Sequence, residues 1–331
     1  MNARIDDTSR CTGCKCCRDG RCYPALDSDC VYDDLYGYQC PCVRPDWQEE
    51  VGSGLSSWRA LSAIEPGAPQ RPNEDWFGVG PGNGTVVVVD GGTARTETGC
   101  SHGVAWYAGE LGSSLLRLAR EDSRPALGQV LAAGIDAVAG LHRGSCDLGH
   151  PGTPSAAAAI VRQSGPVDWE YVVLGDVSVV LDTPDAPDGP VVVVDTRISE
   201  SARVERAEAD QWPIGSGEKE AAMIRMKHAE LAARNQTYWI AAADPRAAAH
   251  GLTGEVGSVI RLAVLTDGAA RAHSFGLMTW PDLLQTMDQY GPQQIIERVR
   301  TAENADPDGR RWPRNKKSDD ATAVYLDRHR G

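Results

Sequence analysis

Apolar residues recur along this chain at two periods, and the switches between the periods mark its elements. Over 58–64 apolar and polar residues alternate, as on a half-buried strand. A short strand is expected around Phe77 and Val79, after the acidic pair Glu74-Asp75. Four consecutive valines, Val86 to Val89, are bounded by glycine and by Asp90-Gly91-Gly92, and read as a fully buried strand. Val104, Tyr107, Ala108, Leu111, Leu115 and Leu118 then fall at helical spacing over 104–119. Leu127, Leu131, Ile135, Val138 and Leu141 make a second amphipathic helix. Strands are expected over 155–161, 171–174, 177–181, 191–194, 238–243, 259–265 and 321–326. Helices are expected over 218–234, 281–290 and 292–302, the last two with Pro in the first turn, where a missing N–H is harmless. Turns of hairpin length between many strands imply antiparallel pairing. The order strands, two helices, strands, helices, strand predicts two packed antiparallel sheets with helices outside.

Composition narrows the class. At 331 residues, 41% apolar and 24% charged, the chain suits a globular protein of one large domain or two ordinary ones. A net charge of −13 argues against nucleic-acid and anionic-membrane partners, which want basic patches. No apolar run is long enough to cross a bilayer. The first residues, Met1 to Asp7, lack the apolar stretch of a signal peptide, so a cytoplasmic protein is expected. The basic stretch from Arg310 to Lys317 reads as a solvated loop, too short for a nucleic-acid site.

Of ten cysteines, eight lie before residue 43: Cys11, Cys14, Cys16, Cys17, Cys22, Cys30, Cys40 and Cys42. Residues 1–46 therefore form a Cys-rich segment of their own, with few aliphatic residues from which to build a core. Cys11 and Cys14 have the two-residue gap that lets two thiolates chelate one metal. Metal binding is expected here, zinc before disulfides in a reducing compartment, with an iron–sulfur cluster or an unordered tail as alternatives. Residues 47–57 read as a linker and 58–331 as the main domain. Cys100 and Cys146 stand apart and read as small buried hydrophobes.

Candidate chemistry lies in the carboxylates. The strand ending at Asp90 is followed by two glycines, which leave the Gly91 carbonyl accessible. Val172-Val173-Leu174-Gly175-Asp176 and Leu262-Ala263-Val264-Leu265-Thr266-Asp267-Gly268 end the same way. Asp319-Asp320 precede the last strand, and Asn73-Glu74-Asp75 an early one. Each alone is an ordinary turn residue. Together they make an oxygen-donor set for hard divalent cations such as Mg²⁺ or Mn²⁺, with no matching cluster of His.

The series NED, VVVVDGG, LGD, LTDG and DDATAV, in this order over residues 58 to 328, resembles the metal-dependent protein phosphatases of type 2C, the PPM family, and bacterial members most closely. The resemblance implies an α+β fold, an αββα sandwich of two antiparallel sheets flanked by helices. It implies hydrolysis of phosphoserine and phosphothreonine in a protein by a water bridging two Mn²⁺ or Mg²⁺ ions, by a monomer. Carried over residue by residue, Asp90 would bridge both metals, Gly91 would bind one through its carbonyl, and Asp267 and Asp319 would be ligands. The doubled Asp leaves Asp319 and Asp320 one register apart. Asp75 would hold metal-bound water, and Asp176 a third, weaker ion, without the Arg that follows in the family motif. Arg71 would bind phosphate, although it stands one position from the family's Arg, where Gln70 lies. Gly92 replaces the His that protonates the leaving group in animal members, with nearby His102 a candidate substitute. These departures motivate an alternative: a weakly active or inactive regulatory protein of the same fold, with the Cys-rich segment as a metal or redox sensor.

Overall fold

The computed structural model describes residues 58–328 apart from 185, 187 and 188, together with four short strands nearer the N-terminus. The chain divides into two compact units, Met1–Leu55 and Ser56–Gly331. In the first, β1 (Cys17–Arg18) pairs antiparallel with β2 (Arg21–Cys22), and β3 (Val31–Asp33) with β4 (Gly37–Gln39). The thiol chemistry expected of this segment lies outside the described residues.

The second unit is a sandwich of two five-stranded antiparallel sheets. One runs β11 (Val191–Val193), β10 (Ser178–Asp182), β13 (Arg261–Leu265), β14 (Ala321–Arg328), β5 (Trp58–Glu65). The other runs β12 (Leu252–Val256), β9 (Trp169–Leu174), β8 (Ala156–Gln163), β7 (Thr85–Gly91), β6 (Asp75–Val79). Helices α1 (Val104–Ala119) and α2 (Leu127–His142) cover the outer face of the second sheet. Helices α6 (Asp267–Ser274), α7 (Trp280–Tyr290) and α8 (Gln293–Ala305) cover the outer face of the first. Three short-to-medium helices, α3 (Arg197–Ser201), α4 (Arg203–Ala209) and α5 (Gly217–Ala233), intervene between β11 and β12.

The valine run explains the layering. Side chains alternate across a strand, so Val86 and Val88 face the other sheet while Val87 and Val89 face α1 and α2. Both faces are buried, which is why no polar residue interrupts the run. Asp90 continues the Val86–Val88 side, and so arrives at the rim of the sandwich pointing between the sheets.

One expectation needs correction. Residues 238–243 do not form a strand; they run extended, with isolated bridges at Ala156↔Ala241 and Arg234↔Tyr238. Strand β8 already has β7 and β9 on its two sides, so no full ladder edge is free. Trp239 and Ala241 pack against the α1–α2 layer instead, and Tyr107 donates its hydroxyl to the Ala242 carbonyl at 2.8 Å. Strand β12, by contrast, carries no apolar alternation because it is an edge strand open to solvent.

Candidate metal centre

Five strand ends meet at one rim. Asp75 opens β6 and sits directly opposite Asp90 in the β6–β7 pair. Asp267 starts α6 immediately beyond β13, and Asp319 and Asp320 precede β14, the antiparallel partner of β13. Asp176 occupies the turn that carries the chain from β9 across to β10. That turn needs Gly175 at φ +86°, where an added Cβ would also strike Ala157. Asp90, Asp176, Asp267 and Asp319 line one cavity of about 330 Å³, together with Gly91.

Asp75 is held behind this group. Its Oδ2 accepts from the hydroxyls of Thr266 and Thr322, each at 2.8 Å, and both threonines are fully buried. Burial, more than the neighbouring charges of Asp267 and Asp320, raises the Asp75 carboxyl to about 8. Its Oδ1 carries no hydrogen bond among the described residues. Gly91 is pinned to the same corner, its N–H donating to the Glu74 carbonyl at 3.0 Å, and a Cβ there would lie 2.5 Å from that oxygen.

The doubled aspartate divides its work. Both oxygens of Asp320 are taken by backbone amides, Gly67 N and Glu74 N, at 2.7 Å each. Asp319 alone of the two lines the cavity. It is paired with Arg271 at 3.0 Å and with Lys316 at 2.5 Å. The Lys316 ammonium also donates to Thr93 Oγ1 at 2.8 Å. Burial alone would favour the neutral amine, but Asp319, Asp267 and Asp90 outweigh it and raise the Lys316 pKa.

Among the described residues, Asp90, Asp176 and Asp267 form no ion pair, although all three face the same cavity. Burial raises Asp90 well above the ordinary carboxylate value, and Asp75, Asp267, Asp176 and Asp319 add to it. Burial likewise raises Asp176, to about 7, with Asp267 contributing. Asp267 is raised by burial and by Asp319 against the pull of Arg271 and Lys316. Like charges crowded out of water are costly unless a cation joins them. The donors are carboxylates and a backbone carbonyl, with no thiol or imidazole lining the cavity, which suits Mg²⁺ or Mn²⁺.

The structure does not bring Arg71 to this cavity. Arg71 is exposed in the loop before β6, and the lining cations are Arg95, Arg206, Lys227, Arg271, Arg314 and Lys316. His102 is likewise not among the lining residues. The loop expected to be solvated is instead tethered. Asp306 accepts from the backbone N–H groups of Arg310, Arg311 and Trp312, and pairs with buried Arg314 at 2.9 Å. Against the cost of desolvation, those N–H bonds hold the Asp306 carboxyl down to about 2. Lys316 reaches the cavity from the end of this loop. Its signal in the sequence is its place three residues before Asp319, and that of Arg271 is its place four residues after Asp267 on α6. The Asp306→Ala variant is expected to lose about 3 kcal/mol, the lower end for stripping one partner from a buried pair, read by urea denaturation.

No protein-family model matches the chain, and no curated protein matches it. Solved structures do. A bacterial serine phosphatase carrying an Arg-to-Ala substitution aligns over 82% of this chain and 99% of its own, at 9% identity and a TM-score of 0.50. The serine/threonine phosphatase PstP/Ppp of Mycobacterium tuberculosis aligns over 82% of this chain and 98% of its own, at 13% identity and a TM-score of 0.49. The catalytic domain of PstP in complex with two manganese ions aligns over 82% and 97%, at 15% identity and a TM-score of 0.48. The chain has the fold of the first of these: the αββα sandwich of two antiparallel sheets flanked by helices.

Proposed function

We propose that this protein is a metal-dependent phosphoserine/phosphothreonine protein phosphatase of the type 2C class, working with two Mn²⁺ or Mg²⁺ ions. The observation that carries the proposal is the convergence of Asp90, Asp176, Asp267 and Asp319 on one cavity, three of them without an ionic partner among the described residues. Asp90, the Gly91 carbonyl, Asp267 and Asp319 would hold the metals, with Asp176 beside them. Such ions supply Lewis-acid polarisation of the phosphoryl oxygens and an activated water nucleophile. The solved relative of the same fold is itself described as a serine phosphatase, which supports the substrate class. A phosphorylated protein as substrate, a monomeric state and a cytoplasmic location belong to the same proposal. Among the described residues no helix is long and apolar enough to cross a membrane.

The chain's own residues take the remaining roles. Asp75, its Oδ2 fixed by Thr266 and Thr322, keeps an Oδ1 without a hydrogen bond among the described residues, which would orient water. Lys316, a compact ammonium on a flexible stem, replaces Arg71 as the cation that meets a phosphoryl oxygen. Arg271 is clamped between Asp319 and Glu303, the latter at 2.6 Å, and keeps Asp319 oriented. Gly92 supplies no acid, so the leaving oxygen would take its proton from a group other than residue 92. Helices α3, α4 and α5 form the outer wall through Ile198, Arg206 and Lys227, and select the substrate.

The test is phosphate release from p-nitrophenyl phosphate and a phosphothreonine peptide, with Mn²⁺ and with a chelator. Turnover that requires Mn²⁺ is expected; turnover indifferent to the chelator contradicts the mechanism. The Lys316→Gln variant is expected to lower kcat/KM by about 10- to 100-fold, mostly through KM, with Lys316→Arg restoring part of it. An unchanged KM removes Lys316 from phosphate binding.

A further inference from the structure

Cys100 and Cys146, expected as separate buried hydrophobes, are neither separate nor fully buried. Helices α1 and α2 are joined by a short loop and lie side by side, so the start of α1 adjoins the end of α2. Cys100 and His102 lie in the turn that enters α1; His142 is the last residue of α2, and Cys146 lies one turn beyond it. One ligand atom from each of the four side chains lies within 4.8 Å of the others.

The sulfur–nitrogen distances lie near those of a single ion's ligand shell. Cys100 Sγ lies 3.6 Å from His102 Nδ1 and 3.6 Å from His142 Nδ1, and His102 Nδ1 lies 3.3 Å from Cys146 Sγ. A tetrahedral zinc with Zn–S about 2.3 Å and Zn–N about 2.0–2.1 Å has S···N edges of about 3.6 Å. The two sulfurs, 3.1 Å apart, need to part by roughly 0.7 Å to reach the tetrahedral S···S edge that the same bond lengths imply. His142 is 1% exposed and its Nε2 has no partner among the described residues, where the polar contact this buried ring makes is the one toward the thiol. The cluster is also held from outside. His102 stacks on Trp106 with centroids 4.2 Å apart, and the Asp147 N–H donates to the Gly99 carbonyl at 2.9 Å, joining the two loops.

From this geometry we propose that Cys100, His102, His142 and Cys146 form a structural zinc site, distinct from the carboxylate centre in place and in donor chemistry. Both thiols lose their protons on binding and both imidazoles bind neutral, so the ion's two charges are matched and two protons leave to solvent. All four positions are then filled by protein, as in closed structural sites. The ion clips the open end of the α1–α2 hairpin. It also anchors the far end of the loop that leaves Gly92 and carries Thr93 and Arg95 to the cavity wall.

The test uses the full chain, purified without chelator, with zinc measured per chain in the wild type and in a Cys100→Ser/Cys146→Ser double variant. The difference expected is one zinc per chain, whatever the N-terminal cysteines hold, with a lower Tm in the variant. A residue-resolved measurement on the wild type covers the case in which the variant does not fold. Iodoacetamide labelling of Cys100 and Cys146, read by peptide mapping, is expected to be slow, and at least tenfold faster after a zinc-selective chelator with Mg²⁺ kept present. Equal zinc in wild type and variant, labelling indifferent to the chelator, or recovery of Cys100 and Cys146 as a disulfide-linked pair overturns the assignment.

Discussion

The Asp90→Asn variant is expected to lose about a thousandfold in kcat/KM on phosphothreonine peptides, roughly 4 kcal/mol of transition-state stabilisation. The same variant is expected to be more stable than the wild type when both are free of metal. The two signs follow from one cause. Asp90 faces Asp75, Asp176, Asp267 and Asp319 at the rim between the sheets, and no cation pairs with it among the described residues. An amide keeps the shape, relieves the repulsion and removes a donor from the metals. On the proposed reading, stability is given up at this site for chemistry, as at many active sites. The pH dependence has the same origin. Asp75 and Asp176 hold protons in the folded, metal-free chain up to about 8 and about 7, well above the carboxylate value of 3.8. Between 3.8 and those values the folded state binds more protons than the unfolded one. Metal-free stability therefore falls as pH rises across that window, and the stabilisation gained from Mn²⁺ is larger at its upper end. Thermal melts at a series of pH values, with Mn²⁺ and with a chelator, check both signs.

The second large effect is expected at a residue that carries no chemistry. Gly268 follows Asp267 at the start of α6, packed against the entry to β14. A Cβ there would lie 1.9 Å from the Asp320 carbonyl oxygen and 3.2 Å from Asp319 Cβ. The nearest obstacle is backbone, and that backbone is fixed: Asp320 is bound to two amides and the Asp319 carbonyl accepts from Arg300 at 2.6 Å. Gly268→Ala cannot be absorbed by a rotamer change. It is expected to cost on the order of 3 kcal/mol, as overpacking against an unyielding neighbour does, and to push Asp319 away from Asp267. Urea denaturation reads the first effect. Weaker Mn²⁺ binding in calorimetry reads the second, and separates this variant from one that is merely less stable.

How much of this was legible in the sequence depends on how local each signal is. The α1 and α2 boundaries follow from a 3.6-residue apolar period over sixteen residues each, and tertiary contacts only reinforce it. Asp90 was legible because a valine run buried on both faces must end where its first charged residue reaches the rim. The choice between Asp319 and Asp320 was not, since it rests on which carboxylate meets the amides of Gly67 and Glu74, some 250 positions away. Lys316 looked solvated because its stretch is basic, but Asp306 folds that stretch back on itself. Arg71 came from the resemblance with its spacing already one position off, and the loop turns it to solvent. The Cys100–His102–His142–Cys146 cluster shows only as Cys-x-His and, forty residues on, His-x₃-Cys; the helical hairpin closes that gap.

One measurement bears most directly on the carboxylate centre: an anomalous difference map from crystals of the full chain soaked in Mn²⁺. Two peaks are predicted within the cavity, both in contact with Asp90, with Asp267 and Asp319 completing the ligand set. A cavity without anomalous density in saturating Mn²⁺, or with its density confined to the Lys227 side, would contradict the account.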